Sequence, residues 1–325
     1  MPYSSEVYTA ANLVLEERRR KAEHESNLIK ADAYAKIPEV EEIDQNLARG
    51  FSSLSMLVMN GTASFDSALV KMQDECKNMQ AKKAKLLVEN GFSADCLEPH
   101  YTCKDCCDTG RVGGVLCSCY KELCRQKALE ELDRSSGSAN CSFENFRTDF
   151  YPDNGVADGT NPRRKMSNIF EFCKLYADGF SENSESLVLI GKTGLGKTHL
   201  SLSIAREAVK KGFGVVYTPA QRLVSSLELE HFSGSGSSAM KKKYSSCDLL
   251  IIDDLGAEFP TQFTTAAIGN LINERLFEKR PTIISTNLMG NELTARYTER
   301  TASRILGEYR KLYFLGEDIR FLKNY

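Results

Sequence analysis

The sequence predicts an α/β fold in its C-terminal part, a parallel five-stranded sheet flanked by helices, preceded by a mainly α-helical N-terminal part that carries a metal-binding element. Three observations lead there. Beyond residue 141, short apolar β-rich runs alternate with helical patterns, and strands this uniformly apolar are buried on both faces. Before residue 90 the pattern is helical and rich in charge. Between these regions, Cys103, Cys106, Cys107, Cys117, Cys119 and Cys124 crowd into one short stretch.

Residues 5–90 contain EERRRKAEHE and KMQDECKNMQAKKAKLLVEN, with Pro38 between candidate helices, and read as two or three solvated helices packed as a hairpin. A Cys and Gly segment follows over 103–119, then a short helix near 120–133 and a Ser/Gly linker, SSGSAN. The expected domains are 1–134, with a four-cysteine element at about 96–124, and 142–325, joined by a linker at 135–141. Predicted strands are SLVLIG (186–191), GVVYT (214–218), DLLIID (248–253), TIIST (282–286) and a last one near 312–321. SGSGSS at 233–238 reads as a flexible loop.

Composition limits the function classes. Hydrophobic content of 42% beside 26% charged residues is that of a globular protein, and a net charge of -2 gives no global attraction to nucleic acid or membrane. No signal peptide or membrane-length apolar run is present, which predicts a cytoplasmic protein with no membrane partner. In that reducing setting the eleven cysteines are thiols or metal ligands. The scattered Cys76, Cys96, Cys141, Cys173 and Cys247 read as small buried hydrophobes.

The segment LVLIGKTGLGKTHLSLSIAREAV places a strand, a Gly-rich turn and an amphipathic helix in the order that phosphate binding requires. The turn, GKTGLGKT, is a Walker A loop formed by Gly191, Lys192, Thr193, Gly194, Leu195, Gly196, Lys197 and Thr198. Its glycines let backbone N–H groups approach the phosphates of ATP, and the helix N-terminus adds a favourable dipole. Lys197 is expected on the β- and γ-phosphates, and the Thr198 hydroxyl on magnesium. His199 follows beside the nucleotide and reads as packed or solvated rather than catalytic. LLIIDDLGAE ends a strand with two acids: Asp253 to hold magnesium and Asp254 to orient or deprotonate the attacking water. TIISTN ends in Asn287, suited to the γ-phosphate or the lytic water, although Asn also ends strands as a turn former. In ERTASRILG, Arg304 is placed to act as an arginine finger on a neighbouring subunit's ATP.

These residues resemble the AAA+ ATPases of the DnaC/DnaI helicase-loader and IstB transposition-helper clade. The resemblance rests on GKTGLGKTHL, YTPAQRLV, LLIIDDLGAE, TIISTNL, RYTERTASRILG and GEDIRFLK, and covers residues 141–325. It implies an AAA+ P-loop domain with Asn287 as sensor 1, Arg304 as arginine finger and Arg300 as a further nucleotide-sensing arginine. It also implies that SFENF (142–146), and Phe146 with it, lies near the adenine. The stretch after Arg304 is too short for the helical lid of most AAA+ ATPases, and the Walker B pair ends Asp-Asp rather than Asp-Glu. Slow, partner-stimulated ATPase activity is therefore expected.

Cys103-x2-Cys106 and Cys117-x-Cys119, with Gly110, Gly113 and Gly114 turning the chain between them, can close a tetrahedral zinc site. Cys107 or Cys124 can replace one ligand, and His100 is a disfavoured candidate. No βαβ context surrounds this CxxC, which argues against thioredoxin-like redox chemistry. A helical N-terminus, a zinc element and a C-terminal ATPase together are similar to the DnaI-type loaders, whose N-terminal domain grips the replicative DnaB-type helicase. The resemblance thus implies loading of a hexameric helicase onto single-stranded DNA during replication initiation, by an ATP-dependent homo-oligomer. The alternatives are an IstB-like transposition helper and an ATP-gated adaptor with little hydrolysis. Single-stranded DNA contacts are expected from Arg222, Lys241, Lys242 and Lys243, flanked by Phe232 and Tyr244.

Overall fold

The computed structural model describes residues 2–60, 65–154, 159–233 and 239–319, with the backbone alone described within 50–72. Contacts divide the chain into two compact units, Asn12–Tyr120 and Met1–Ala11 with Lys121–Tyr325.

The unit Asn12–Tyr120 is built on α1 (Ser5–Lys36, from Asn12 onward), α2 (Pro38–Asn60) and α3 (Phe65–Glu89). Ala33, Ile37, Val40 and Leu87 form a small core that Cys96 and Leu97 complete from the segment after α3. Ion pairs Lys82–Glu39 and Lys83–Asp44 tie α3 to α2, so part of the charge that reads as a solvated face joins the helices. The two-residue strands β1 (Arg111–Val112) and β2 (Val115–Leu116) form an antiparallel hairpin within the Cys-rich segment.

The larger unit begins with residues 2–11 and α4 (Ser118–Ser136), here from Lys121. The division of contacts thus does not fall at the Ser/Gly run 135–141. Leu132 is buried in the sheet unit's core, and Asp133 pairs with Arg206. α5 (Pro162–Asp178) starts with Asn161 accepting the Arg164 N–H at 2.9 Å and Pro162 at the first helical position, both ordinary start signals.

Then follow β3 (Leu187–Ile190), α6 (Lys197–Lys210), β4 (Val215–Pro219), α7 (Ala220–Phe232), α8 (Ala239–Ser246), β5 (Leu249–Leu255) and α9 (Gln262–Phe277). β6 (Thr282–Thr286), α10 (Gly290–Arg296), α11 (Glu299–Glu308) and β7 (Arg310–Tyr313) close the unit. The five strands β3 to β7 form one parallel sheet in the order β4-β5-β6-β3-β7. Side chains alternate between two cores. Leu187, Leu189, Leu249, Ile251 and Ile283 face the first, with α5 and α6. Val188, Ile190, Leu250, Ile252 and Ile284 face the second, with α7, α9 and α11. This is the α/β architecture expected from the apolar runs.

The last strand is Arg310–Tyr313 rather than 312–321, because the chain turns across the phosphate loop: Phe314 N–H donates to the Ile190 carbonyl and Ile319 N–H to that of Gly194. Among the described residues no helix follows β7. The expected loop at 233–238 lies, beyond Ser233, outside the described residues, as does the GEDIRFLK segment from residue 320. The edge strand β4 is sheltered by Tyr3, Val7, Ala128 and Leu132, which line a cavity of about 180 Å³ with residues 215–218. No helix among the described residues is long and apolar enough to cross a membrane.

Candidate nucleotide site and thiolate cluster

Strand β3, buried along its whole length, delivers residues 191–196 to the N-terminus of α6, and the sheet brings the ends of β5 and β6 beside it. Gly196 has φ 84°, and a Cβ there would meet the Phe146 ring at 2.8 Å and the Tyr151 hydroxyl at 3.0 Å. Gly194 has φ 74° with the Asp318 carboxylate directly over it. Neither position admits a side chain, because the chain packs closely on the loop at both.

Lys197 is 5% exposed, and its Nζ donates to the carbonyls of Gly191 (2.6 Å) and Lys192 (2.7 Å) and to Asn287 Oδ1 (2.7 Å). Those contacts match the three donors of an ammonium, and the last brings two predicted site residues together. Thr198 Oγ1 donates to both oxygens of Asp253, at 3.0 and 2.9 Å. Lys192 and Thr193 are exposed on the loop, while Leu195 is buried beneath it.

Asp253 and Asp254 would point to opposite sheet faces in a regular strand. A break in register with β6 between Ile252 and Leu255 changes that, with Asp254 at φ 53°. Asp253 becomes buried and Asp254 exposed. Phe146 stacks on Phe170 at 5.5 Å and meets His199 edge-on at 5.3 Å; His199 Nε2 lies 2.7 Å from the Ser142 carbonyl oxygen. The SFENF segment is therefore pinned to the phosphate-loop helix, and His199 has a packing role.

Arg304, on α11, donates to Asn273 Oδ1 of α9, and not to the groups around Asp253. Arg300 is exposed and lines a groove of about 550 Å³ with Asn270, Asn273 and Thr301. Both arginines thus lie on the α9–α11 face, apart from the Lys197–Asp253 cluster.

Sequence reasoning missed three supports of this site. Tyr217 donates its hydroxyl to Asp253 Oδ2 at 2.7 Å, and Ser285 donates to Oδ1 at 2.5 Å. Burial first, and then the Asp253 charge, pushes the Tyr217 phenol well above its ordinary value. The third support is Glu258, buried after the two acids, which accepts from the Gly256 N–H at 2.9 Å and the Tyr297 hydroxyl at 2.5 Å. Together with Arg296 it fixes the loop leaving β5.

The expected DNA-contact set is largely occupied within the chain. Arg222 donates to the Ser135 carbonyl, Lys241 pairs with Glu274, and Lys243 pairs with Glu131 and Glu6. Tyr244 is buried against Ser226 and offers no stacking face, contrary to the sequence expectation. Phe232 is 76% exposed beside His231 and Phe263.

In the smaller unit, the Sγ atoms of Cys103, Cys106, Cys117 and Cys119 all lie within 4.8 Å of one another. Cys103 and Cys117 are 3.8 Å apart and Cys106 and Cys119 3.4 Å, far beyond the roughly 2.05 Å of a disulfide. Four tetrahedral thiolates at about 2.3 Å from a zinc ion stand about 3.8 Å apart, so these four residues can hold a metal ion. Cys107, exposed, and His100 and Cys124 are not in the group. Asp108, buried at 2% exposure, accepts the N–H groups of Thr102 (2.8 Å) and Cys103 (3.0 Å) and holds the first turn in place. The Cys119 backbone N–H, foremost, lowers the Cys117 thiol to about 7, whereas burial raises Cys106 and Cys119. A bound cation would reverse those burial shifts.

With this geometry established, residues 167–306 match the family model described as IstB-like ATP binding protein. That stretch, under half of the chain, is similar to IstB-like ATP-binding proteins. The replicative helicase loader DnaC of Escherichia coli (strain K12) is 29% identical over 168 residues, covering 51% of this chain and 63% of that protein. DnaC of Buchnera aphidicola subsp. Schizaphis graminum is 30% identical, covering 50% and 63%. The insertion sequence IS232 putative ATP-binding protein of Bacillus thuringiensis subsp. berliner is 32% identical over 127 residues, covering 39% of this chain and 49% of that one. The chain therefore spans less than two thirds of the length of these relatives. Among solved structures, that of the DnaC helicase loader has 21% identity and a TM-score of 0.46, covering 54% of this chain and 97% of the other. The matched region carries the Walker A loop on a parallel five-stranded α/β sheet and is similar in sequence to the DnaC-type loaders.

Proposed function

We propose that this chain loads a hexameric DnaB-type helicase onto single-stranded DNA during replication initiation, in a cycle of ATP binding and slow hydrolysis. The observation that carries the reading is the convergence of Lys197, Thr198, Asp253 and Asn287 in an IstB-like domain whose relatives are named replicative helicase loaders. The Asn12–Tyr120 unit, with its four thiols, is the candidate helicase-binding part, and zinc is the ion its sulfur spacing suits best.

Lys197 leaves the Gly191 and Lys192 carbonyls for the β- and γ-phosphates, and Asn287 is then released toward the γ-phosphate. Thr198 and Asp253 are the residues that would hold magnesium, which neutralises charge on the phosphates. Asp254, exposed at the bulge, orients the attacking water. Arg304, and Arg300 beside it, act on the ATP of a neighbouring subunit in a homo-oligomer, consistent with their place on the α9–α11 face. Phe146 and His199 border the base. Phe232 and Lys242 are the candidates retained for DNA contact.

The test is a purified loading assay with the full chain. A DnaB-type helicase is expected to be captured and transferred to circular single-stranded DNA only with ATP; failure to bind that helicase overturns the reading. The similarity to the IS232 protein favours a second reading, a transposition helper, in which the captured partner is a transposase. ATPase activity too low to measure, with or without single-stranded DNA, would instead indicate a nucleotide-gated adaptor.

A further inference from the structure

Asp253 is itself held by two hydroxyls that form no part of a phosphate-loop motif. Ser285 stands on Oδ1 and Tyr217 on Oδ2. All three residues are shielded from solvent: Asp253 is 6% exposed, Tyr217 7%, and Ser285 not at all. The direction of each hydrogen bond is fixed. Ser285 Oγ accepts the Asp254 N–H at 2.9 Å, which directs its own proton to Asp253. The Tyr217 hydroxyl is the donor in its pair, because the carboxylate can only accept. The third donor, Thr198, differs, because its hydroxyl is shared almost evenly between the two oxygens and is only part-buried. It can turn away toward a cation without moving the other two.

We propose that Tyr217 and Ser285 are positioning residues that aim the Asp253 carboxylate at a divalent cation on the phosphate site. A carboxylate offers about four lone-pair positions, so one donor on each oxygen fixes its plane and leaves the remaining positions open. Ser285 also anchors the backbone of Asp254 at its left-handed turn, and so sets both acids from a single side chain on β6. Tyr217 reaches the same carboxylate from β4, on the other side of β5. This inference deepens the ATP and magnesium reading of the site and rests on it.

The test is equilibrium binding of a fluorescent ATP analogue to the full chain, in magnesium and in EDTA, for the wild type, Tyr217→Phe and Ser285→Ala. Both variants are expected to match the wild type within about twofold in EDTA, while the tightening given by magnesium falls about tenfold, the scale of one hydrogen bond to a charged group. Tyr217→Phe keeps the ring and the packing, so it carries the test even where Ser285→Ala fails to fold. Wild-type tightening by magnesium in Tyr217→Phe overturns the proposal, as does a loss that is equal with and without the metal. Absence of any nucleotide binding by the wild type would instead overturn the reading of the site as a whole.

Discussion

Replacing Cys106 by Ser removes one corner of the thiolate cluster, and the structure gives the scale of the effect. The observed spacings of 3.8 and 3.4 Å lie near the edge of a tetrahedron around zinc, so little rearrangement separates these positions from a four-coordinate site. Zinc bound by such sites contributes about 10 to 16 kcal/mol of apparent folding free energy, comparable to the whole stability of a typical domain at about 5 to 15 kcal/mol. A serine hydroxyl is not a thiolate at neutral pH, so most of that contribution disappears with one ligand. The consequence is local. The core of Ala33, Ile37, Val40 and Leu87 packs without the metal, whereas residues 103–119 are held mostly by short-range hydrogen bonds, those of Asp108 among them, and by a four-residue sheet. Elemental analysis is expected to find one zinc per wild-type chain and well under half in Cys106→Ser. Hydrogen exchange over 100–120 should rise in the variant while far-UV helicity changes little. Reduced wild-type protein with no zinc, or a variant with full zinc and unaltered protection, refutes this reasoning.

Lys197→Ala is expected to lower ATP affinity at least about tenfold in a filter-binding assay, because it removes the cation offered to the phosphates; unchanged affinity contradicts the site. Arg304→Ala should leave ATP affinity within about twofold and lower hydrolysis by about a hundredfold or more, with activity partly restored by mixing in Lys197→Ala subunits that supply an intact Arg304. Arg275→Met tests the sheet unit. Arg275 is fully buried and donates to Thr282 Oγ1 and to the carbonyls of Tyr244, Ser245, Cys247 and Pro281, so its loss leaves several acceptors unpaired. The expected cost is about 3 to 5 kcal/mol, read as a fall of about 1 M or more in the urea midpoint, and a shift under a few tenths of that would contradict the role.

What could be read from the sequence is what a single stretch of chain determines. The phosphate loop needs only a strand, three glycines, a lysine and a helix in succession, and those lie together whatever the rest does. Strands β3 to β6 were legible for a related reason: a parallel sheet covered on both faces requires uninterrupted apolar runs, which the edge strand β7, RKLY, lacks. Tyr217, Ser285 and Arg275 were not legible, because each acquires its meaning from a partner on another element. Tyr217 and Ser285 reach Asp253 only because β4 and β6 flank β5, and the order β4-β5-β6-β3-β7 is written in no local pattern. On its helix, Arg275 has the spacing of a surface charge; it is buried because the end of α8 and the turn before β6 aim carbonyls at one point. Tyr244 erred the other way, since a tyrosine beside three lysines reads as exposed until Ser226 of α7 is seen against its hydroxyl. The same physics explains why the sequence reading of Asp253 was incomplete. Its acidity and its place at a strand end were in the sequence. The orientation of this buried carboxylate comes from the helix and two strands that meet at its two oxygens.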